Sequence, residues 1–261
     1  MIGPTDSRTK EMIENMNTAN NDAYSEEFKT APWLRSYGEV PFHLEYPDFS
    51  ISDALFESAR KYPKQVALTF QGLNTTYEKL VPQIRKAAKA FHAMGIKEGD
   101  VVTVCMPNMP QTVIALYAIN SIGAIASMIH PLSAVHEIAF YLNEAQSKTL
   151  ISIDQFYSKI KKVMGLVDLD HVIIARVSDA LDFVKGSAYK MLKERKFEKF
   201  QETSQLITWK TFMKMADKCD CDPSVKKTGK ELAVILFSGG TTGVTKGIKL
   251  SNLNFNALAK Q

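Results

Sequence analysis

From Phe49 onward the apolar positions of the chain alternate between a helical and a strand period. "SISDALFESARKYP" places Ile51, Leu55, Phe56 and Ala59 on one helical face, with Ser50 or Ser52 as the N-cap. "VALTF" reads as a strand and "QGLN" as a turn. A long helix is expected from about Thr76 to Met94, ended by Gly95, with Pro82 bending its first turns. Then "VVTVCM" (strand), "PQTVIALYAINSIG" (helix), "AIASMI" (strand), "SAVHEIAFYLNEA" (helix) and "KTLISI" (strand) follow one another, and "FYSKIKKVMG" and "HVIIARV" continue the rhythm. Apolar strands separated by amphipathic helices require crossover connections. The expected class is therefore α/β, a mostly parallel sheet with helices on both faces.

The rhythm breaks at both ends of this stretch. Residues 1–48 are polar and then rich in proline and aromatics, as in an arm lying over a domain. Residues 178–229 form a lysine-rich insertion between an α/β subdomain, 49–177, and a further segment, 230–261. Within it Phe183 to Phe200 carries six basic and two acidic side chains on an imperfect helical stripe. A solvated insertion, with lysine stems over a small apolar patch, is the favoured reading; a basic amphipathic element touching anionic lipid is the alternative. "LITWKTFMKMADK" resembles a strand followed by a short helix.

Composition narrows the function classes. The 261 residues are 45% apolar and 23% charged, an ordinary globular balance. A net charge of +4 shows no concentrated basic face, so nucleic-acid binding is not expected. The N-terminus has no apolar signal core, and the expected compartment is cytosolic. Val113 to Ile129 is interrupted by Asn120, Ser121, Gly123 and Ser127, which suits a buried helix and a central strand better than a membrane span. Of three cysteines, Cys105 reads as a small buried hydrophobe. Cys219 and Cys221 make a C-x-C with no second Cys or His pair at zinc spacing, so no metal ligand is assigned.

The chemistry-bearing stretch is "ILFSGGTTGVTKGIKLSN", Ile235 to Asn252. "ELAVILF" reads as a buried strand, which puts Ser238 at a strand's C-terminal end, where open α/β sheets place ligands. Gly239, Gly240 and Gly243 permit close backbone approach, and their amides can converge on an anion. The hydroxyls of Ser238, Thr241, Thr242 and Thr245 add donors, and Lys246 adds a positive charge. "GIKLS" returns as a strand and "NLNFNALAK" as a helix capped by Ser251. A plain hairpin needs two to five turn residues; a longer, donor-rich connection is poorly explained by connection alone. The spacing also excludes the Walker loop and the G-x-G-x-x-G dinucleotide fingerprint, since two residues separate Gly243 from Lys246.

"FSGGTTGVTKGIKLSN" resembles the phosphate loop of the adenylate-forming, AMP-binding superfamily, (Y/F)-S-(S/G)-G-T-T-G-x-P-K-G-V-x-L-(S/T)-H. Ser238, Gly240, Thr241, Thr242, Gly243, Lys246 and Gly247 fall on that pattern; Thr245 stands for its proline and Asn252 for its histidine. The stretch from "TTYEKL" to "KTLIS" is similar to the same family's N-terminal segment, and the arm and insertion are most similar to fatty acyl-CoA synthetases. The resemblance implies the N-terminal portion of the synthetase large domain, with residues 238–247, Gly239 among them, holding ATP phosphates. It implies ATP, Mg²⁺ and coenzyme A as cofactors and a fatty or other carboxylic acid as substrate. The acid would attack the α-phosphorus of ATP to give acyl-adenylate and pyrophosphate, and the thiol of coenzyme A would then displace AMP. The family's adenine, ribose and hinge segments and its C-terminal domain with a catalytic lysine are not among these 261 residues. No catalytic residue is therefore assigned here, and the chain by itself is expected to be inactive. A non-catalytic nucleotide-binding or membrane-docking module is the alternative.

Overall fold

In a computed structural model the structure describes residues 32–36, 44–238 and 245–261. Most of the expected arm, 1–48, lies outside them. Of the rest, Pro32–Ser36 forms a 3₁₀ turn within a unit of its own, residues 1–45; residues 46–261 form a second compact unit.

That second unit is built on a seven-stranded sheet. In chain order its strands are β3 (Val101–Val104), β4 (Ile125–Met128), β5 (Thr149–Ile153), β6 (His171–Ala175), β7 (Leu206–Thr208), β8 (Leu232–Ser238) and β9 (Lys246–Ser251). They lie in the order β7-β6-β5-β3-β4-β8-β9, parallel throughout except for the antiparallel β8–β9 pair. One sheet thus crosses both expected boundaries, at 178 and at 230. The supposed insertion contributes the edge strand β7, and β8 pairs directly with β4. The ladder continues across the interruption of the strand–helix rhythm on which the sequence division rested.

The helices are α1 (Ile51–Lys61), α2 (Tyr77–Ala93), α3 (Pro110–Ser121), α4 (Val135–Glu144), α5 (Tyr157–Met164), α6 (Phe183–Leu192), α7 (Trp209–Met215) and α8 (Asn252–Lys260). Two apolar layers sandwich the sheet. On one face Leu80, Ile84 and Phe91 of α2, Ile114 and Ile119 of α3 and Phe212 of α7 pack on Val102, Val104, Ile151 and Ile173. On the other, Ile138 and Leu142 of α4 and Ile160 and Val163 of α5 pack on Leu150, Val172 and Ile174. Successive strand residues point to opposite faces, so Leu150 and Ile151 join different layers.

"VALTF" is a strand as expected, in a hairpin of its own: β1 (Val66–Phe70) pairs with β2 (Leu73–Thr76) outside the main sheet. Its two-residue turn, Gln71 and Gly72, has φ of 50° and 76°, the positive values that a tight hairpin turn with matching twist requires. At Gly123, where the long apolar stretch does break into α3 and β4, φ is 76° and a Cβ would come within 2.7 Å of Val225 Cγ2. A side chain there would push apart the β4 entrance and the 225–227 segment. No helix among the described residues is long and apolar enough to cross a membrane.

A buried amide fixes the strand pair β8–β9 to this body. Asn252 is fully buried at the first position of α8. Its Oδ1 accepts from the Ile51 N–H (3.1 Å) and from Asn120 Nδ2 (2.9 Å), and its Nδ2 donates to the carbonyls of Thr228 (3.1 Å) and Glu231 (3.2 Å). Asn120 in turn accepts from Ser52 through both its N–H and its hydroxyl. The asparagine that stands at this motif position thus makes four side-chain hydrogen bonds. Asn252→Ala strands these groups and should lower stability by about 3 kcal/mol. Asn254→Ala, which removes only the exposed half of the α8 capping box with Ser251, should cost about 1 kcal/mol or less. Urea unfolding of both variants measures the difference; equal losses would refute the hub role of Asn252.

Candidate functional site

The predicted loop emerges where an α/β sheet presents ligands. β8 runs parallel to β4 with Met128 opposite Leu236, so Ser238 leaves the sheet beside the residues that follow β4, Ile129 to Ser133. Ser238 ends β8, and opposite it in the antiparallel ladder stands Lys246, the first residue of β9. Gly247 pairs with Phe237 and is likewise in the strand. The connection between the strands is Gly239 to Thr245, seven residues. Gly239, Gly240, Thr241, Thr242 and Gly243 lie outside the described residues; Thr245 is half-buried and Lys246 exposed. Of the candidate phosphate-binding residues, then, Ser238 and Lys246 are brought opposite one another at the loop's mouth.

The frame around that mouth is stiff. The Phe237 ring stacks on Tyr141 of α4 with centroids 4.3 Å apart and planes 22° from parallel. The turn after β4 is held from below: Lys159 of α5 donates to the carbonyls of Pro131 (3.0 Å) and Ser133 (2.9 Å), and His130 Nδ1 accepts from the Leu132 N–H at 3.2 Å. Sequence reading did not place His130 to Ser133 next to the loop. Only strand order could do so, and the β4–β8 pairing joins segments more than a hundred residues apart, with β5, β6 and β7 intervening in the chain.

The chain belongs to the AMP-binding enzyme family. The family model described by that name matches residues 55–261. A long-chain-fatty-acid–CoA ligase of Bacillus subtilis is 32% identical over 230 residues, which are 87% of this chain and 41% of that protein. One from Salmonella typhimurium is 28% identical over 88% of this chain and 42% of its own length. The chain therefore spans about two-fifths of the length of these relatives. Among solved structures, an anthranilate CoA ligase in complex with anthranoyl-AMP superimposes with a TM-score of 0.65 at 18% identity, over 83% of this chain and 37% of that one. A long-chain-fatty-acid-CoA ligase from Archaeoglobus fulgidus gives 0.63 at 21% identity, over 83% and 39%. Both share the α/β fold expected from the sequence.

A second polar group in this AMP-binding chain sits at the C-terminal ends of β5 and β6. Asp154 follows β5 directly and is 7% exposed, and its Oδ1 has no hydrogen-bond partner. Loss of solvent, reinforced by the negative charge of Glu194, pushes its carboxyl up to about 6, against the opposing Gln155 N–H and Arg176. The group borders a cavity of about 310 Å³ lined also by Arg176, Lys190, Glu194, Phe197 and Phe200. An acid directly after an apolar strand was its only signal in the sequence.

A carboxyl raised in the folded state stabilises the fold fully below its ordinary value near 3.8, and that contribution is lost as pH rises through about 6. Ionised Asp154 therefore burdens the fold at neutral pH. Asp154→Asn should raise stability at pH 7.5 by on the order of 1–2 kcal/mol, after allowing for solvent screening, and by almost nothing at pH 4. Urea midpoints at the two pH values check this. A gain that is equal at both would show that ionisation is not its source.

Proposed function

We propose that these residues are the N-terminal part of an ATP-dependent fatty acid–CoA ligase, forming acyl-adenylate and pyrophosphate and then acyl-CoA and AMP. The observation carrying this reading is the β8–β9 pair: a glycine- and hydroxyl-rich connection, at the C-terminal end of a parallel strand, with Lys246 facing Ser238 across its mouth. The ligase relatives support the acid as substrate class and coenzyme A as the thiol acceptor. In this reading Ser238, Gly239, Gly240, Thr241, Thr242, Gly243, Lys246 and Gly247 line the ATP phosphates. Backbone amides and hydroxyls donate to the oxygens, and the Lys246 ammonium offsets charge that builds as pyrophosphate leaves. The Phe237 stack holds the strand at the connection's entry, and Asn252 holds the base of the β8–β9 hairpin.

Mg²⁺, where bound, would neutralise phosphate charge. Among the described residues, the side chains grouped closely enough to hold a metal are His92, Cys219 and Cys221, a soft set ill-suited to an ion that takes oxygen ligands. No residue of this chain is assigned to Mg²⁺. Adenine, ribose and the acyl chain need surfaces beyond a phosphate loop, so the 261 residues alone are not expected to turn over.

In the full-length ligase, Lys246→Ala should slow adenylation about 100-fold or more while weakening ATP binding less than about tenfold, because the ammonium acts on charge present mainly in the transition state. Rapid-quench measurement of pyrophosphate formation tests this, and an unchanged rate overturns the role.

A membrane contact through residues 183–200 is proposed on the exposure of α6. Phe183 (89%), Val184 (74%), Met191 (62%) and Leu192 (61%) stand out from the helix beside Lys190 and Lys193. Binding to vesicles rich in anionic lipid should fall steeply with salt. It should be lost when Lys190, Lys193, Lys196 and Lys199 become glutamate. Equal partitioning to neutral vesicles would contradict the electrostatic contact.

A further inference from the structure

The fold assembles a cluster that spacing along the chain conceals. His92 lies in the last turn of α2, and Cys219 and Cys221 follow the 3₁₀ turn Ala216–Lys218 that packs against that helix. One ligand atom from each of the three lies within 4.8 Å of the others. Cys219 is buried, whereas His92 and Cys221 are exposed, so the group opens to solvent on one side.

We propose that His92, Cys219 and Cys221 form a binding site for one thiophilic cation of the Zn²⁺ class. The donor set is one imidazole and two sulfurs, which selects soft or borderline ions over Mg²⁺ or Ca²⁺. Tetrahedral zinc with these ligands needs donor–donor separations of about 3.5–3.8 Å, so the existing grouping has to close by roughly an ångström. Each thiol gives up its proton to solvent as its sulfur–metal bond forms. Three protein ligands leave the fourth position to water.

The neighbourhood supports this use. The segment is tethered on both sides of the cysteines, so the donors are held together before any ion arrives. On one side the Cys219 N–H donates to Ala216 O at 3.1 Å. On the other, the Asp222 carboxylate accepts from the Ser224 N–H (3.1 Å) and lies 4.0 Å from Arg85 of α2, and the Val225 N–H donates to Ser121 O at 2.9 Å. The acids of "DKCDCD" are partly answered by α2, with Asp217 3.8 Å from Lys86 and Asp222 4.0 Å from Arg85, so the donor set and not the local charge carries the assignment. The Cys219 thiol donates to the carbonyl of Cys221 at 3.6 Å, which holds the two cysteines close.

The site lies at the opposite end of the sheet from the phosphate loop. The 219–227 segment runs past Ser121, Gly123 and Glu98, at the entrances of β3 and β4. An ion there would clasp the path from α7 to β8 onto α2, so it is assigned as a structural clamp and takes no part in adenylation.

Cobalt titration of the reduced 261-residue chain tests the proposal. The expected result is one Co²⁺ per chain, with thiolate-to-cobalt charge-transfer absorption and tetrahedral visible bands that Zn²⁺ bleaches. His92→Ala and Cys221→Ser, both at exposed positions, should each weaken binding more than about 100-fold while leaving the far-ultraviolet circular dichroism intact. Cys105→Ala should leave the cobalt spectrum unchanged. Zn²⁺ should raise the melting temperature of the parent and not of His92→Ala. A parent chain without the thiolate band, or one whose band survives in His92→Ala, overturns the site.

Discussion

Buried side-chain amides, Asn252 foremost, dock the hairpin that carries the candidate phosphate loop onto the rest of the molecule. β8 and β9 sit at one edge of the sheet, and β9 has a neighbour on one side only. Edge strands are the first to separate from a sheet. Asn252, immediately after β9, counters this by using every face of its side chain. It accepts from α1 and α3 and donates to the turn that precedes β8. Breaking it would expose unpaired donors and acceptors in a dry interior, which is why such a network resists partial opening more than its net worth in hydrogen bonds suggests. The Tyr141–Phe237 stack pins the other end of the loop's entry strand. Between them, the base and the tip of the hairpin are each anchored by a contact outside the loop.

The sheet's polarity divides the labour. All of β3, β4, β5, β6 and β8 point the same way, so the turn after β4, Asp154 after β5 and the loop after β8 gather at one end. That end holds the strained electrostatics, including a carboxyl whose Oδ1 is unpartnered. The other end is stitched by ordinary pairing: Lys227 bridges Glu98 and Glu231, and Gly99 donates to Gly123 O at 3.0 Å. Side chains whose polarity is left unsatisfied at one end are tolerated because the fold is closed at the other.

The alternation of apolar strands and amphipathic helices was legible because burial dictates it locally. The helix capped by Ser50, the stop at Gly95 and the break at Gly123 all follow from neighbours within a few residues. Strand order was not legible, because β3 inserts between β5 and β4 through crossovers that leave no local trace. The same limit hid the grouping of His92 with Cys219 and Cys221 and the partners that Asn252 gathers from α1, α3 and the turn before β8. The broken rhythm of 178–229 hid one more strand of the sheet. The basic run of 183–200 is real, yet it is followed by β7, whose backbone completes the sheet regardless of the charges preceding it.

The end that collects the strand termini also carries the basic helix. α6 closes a cavity of about 650 Å³ whose lining joins Pro107 and Met109, after β3, to Val177 and Leu181, after β6. Its floor is apolar, while Lys185 and Lys193 stand at its border, Lys185 donating to Gln71 O at 3.0 Å. β6 and β8 are separated by β5, β3 and β4, a lateral distance of about 19 Å at ordinary strand spacing. A surface that drew α6 toward anionic lipid would thus hold the phosphate loop's end of the sheet within about one helix length of the headgroups. The arrangement costs the loop nothing, since its own charge, Lys246, lies on β9 at the far side of the sheet from the lysines of α6. If α6 meets lipid and the loop meets polyphosphate, as proposed, the two attractions are kept apart by the width of the sheet.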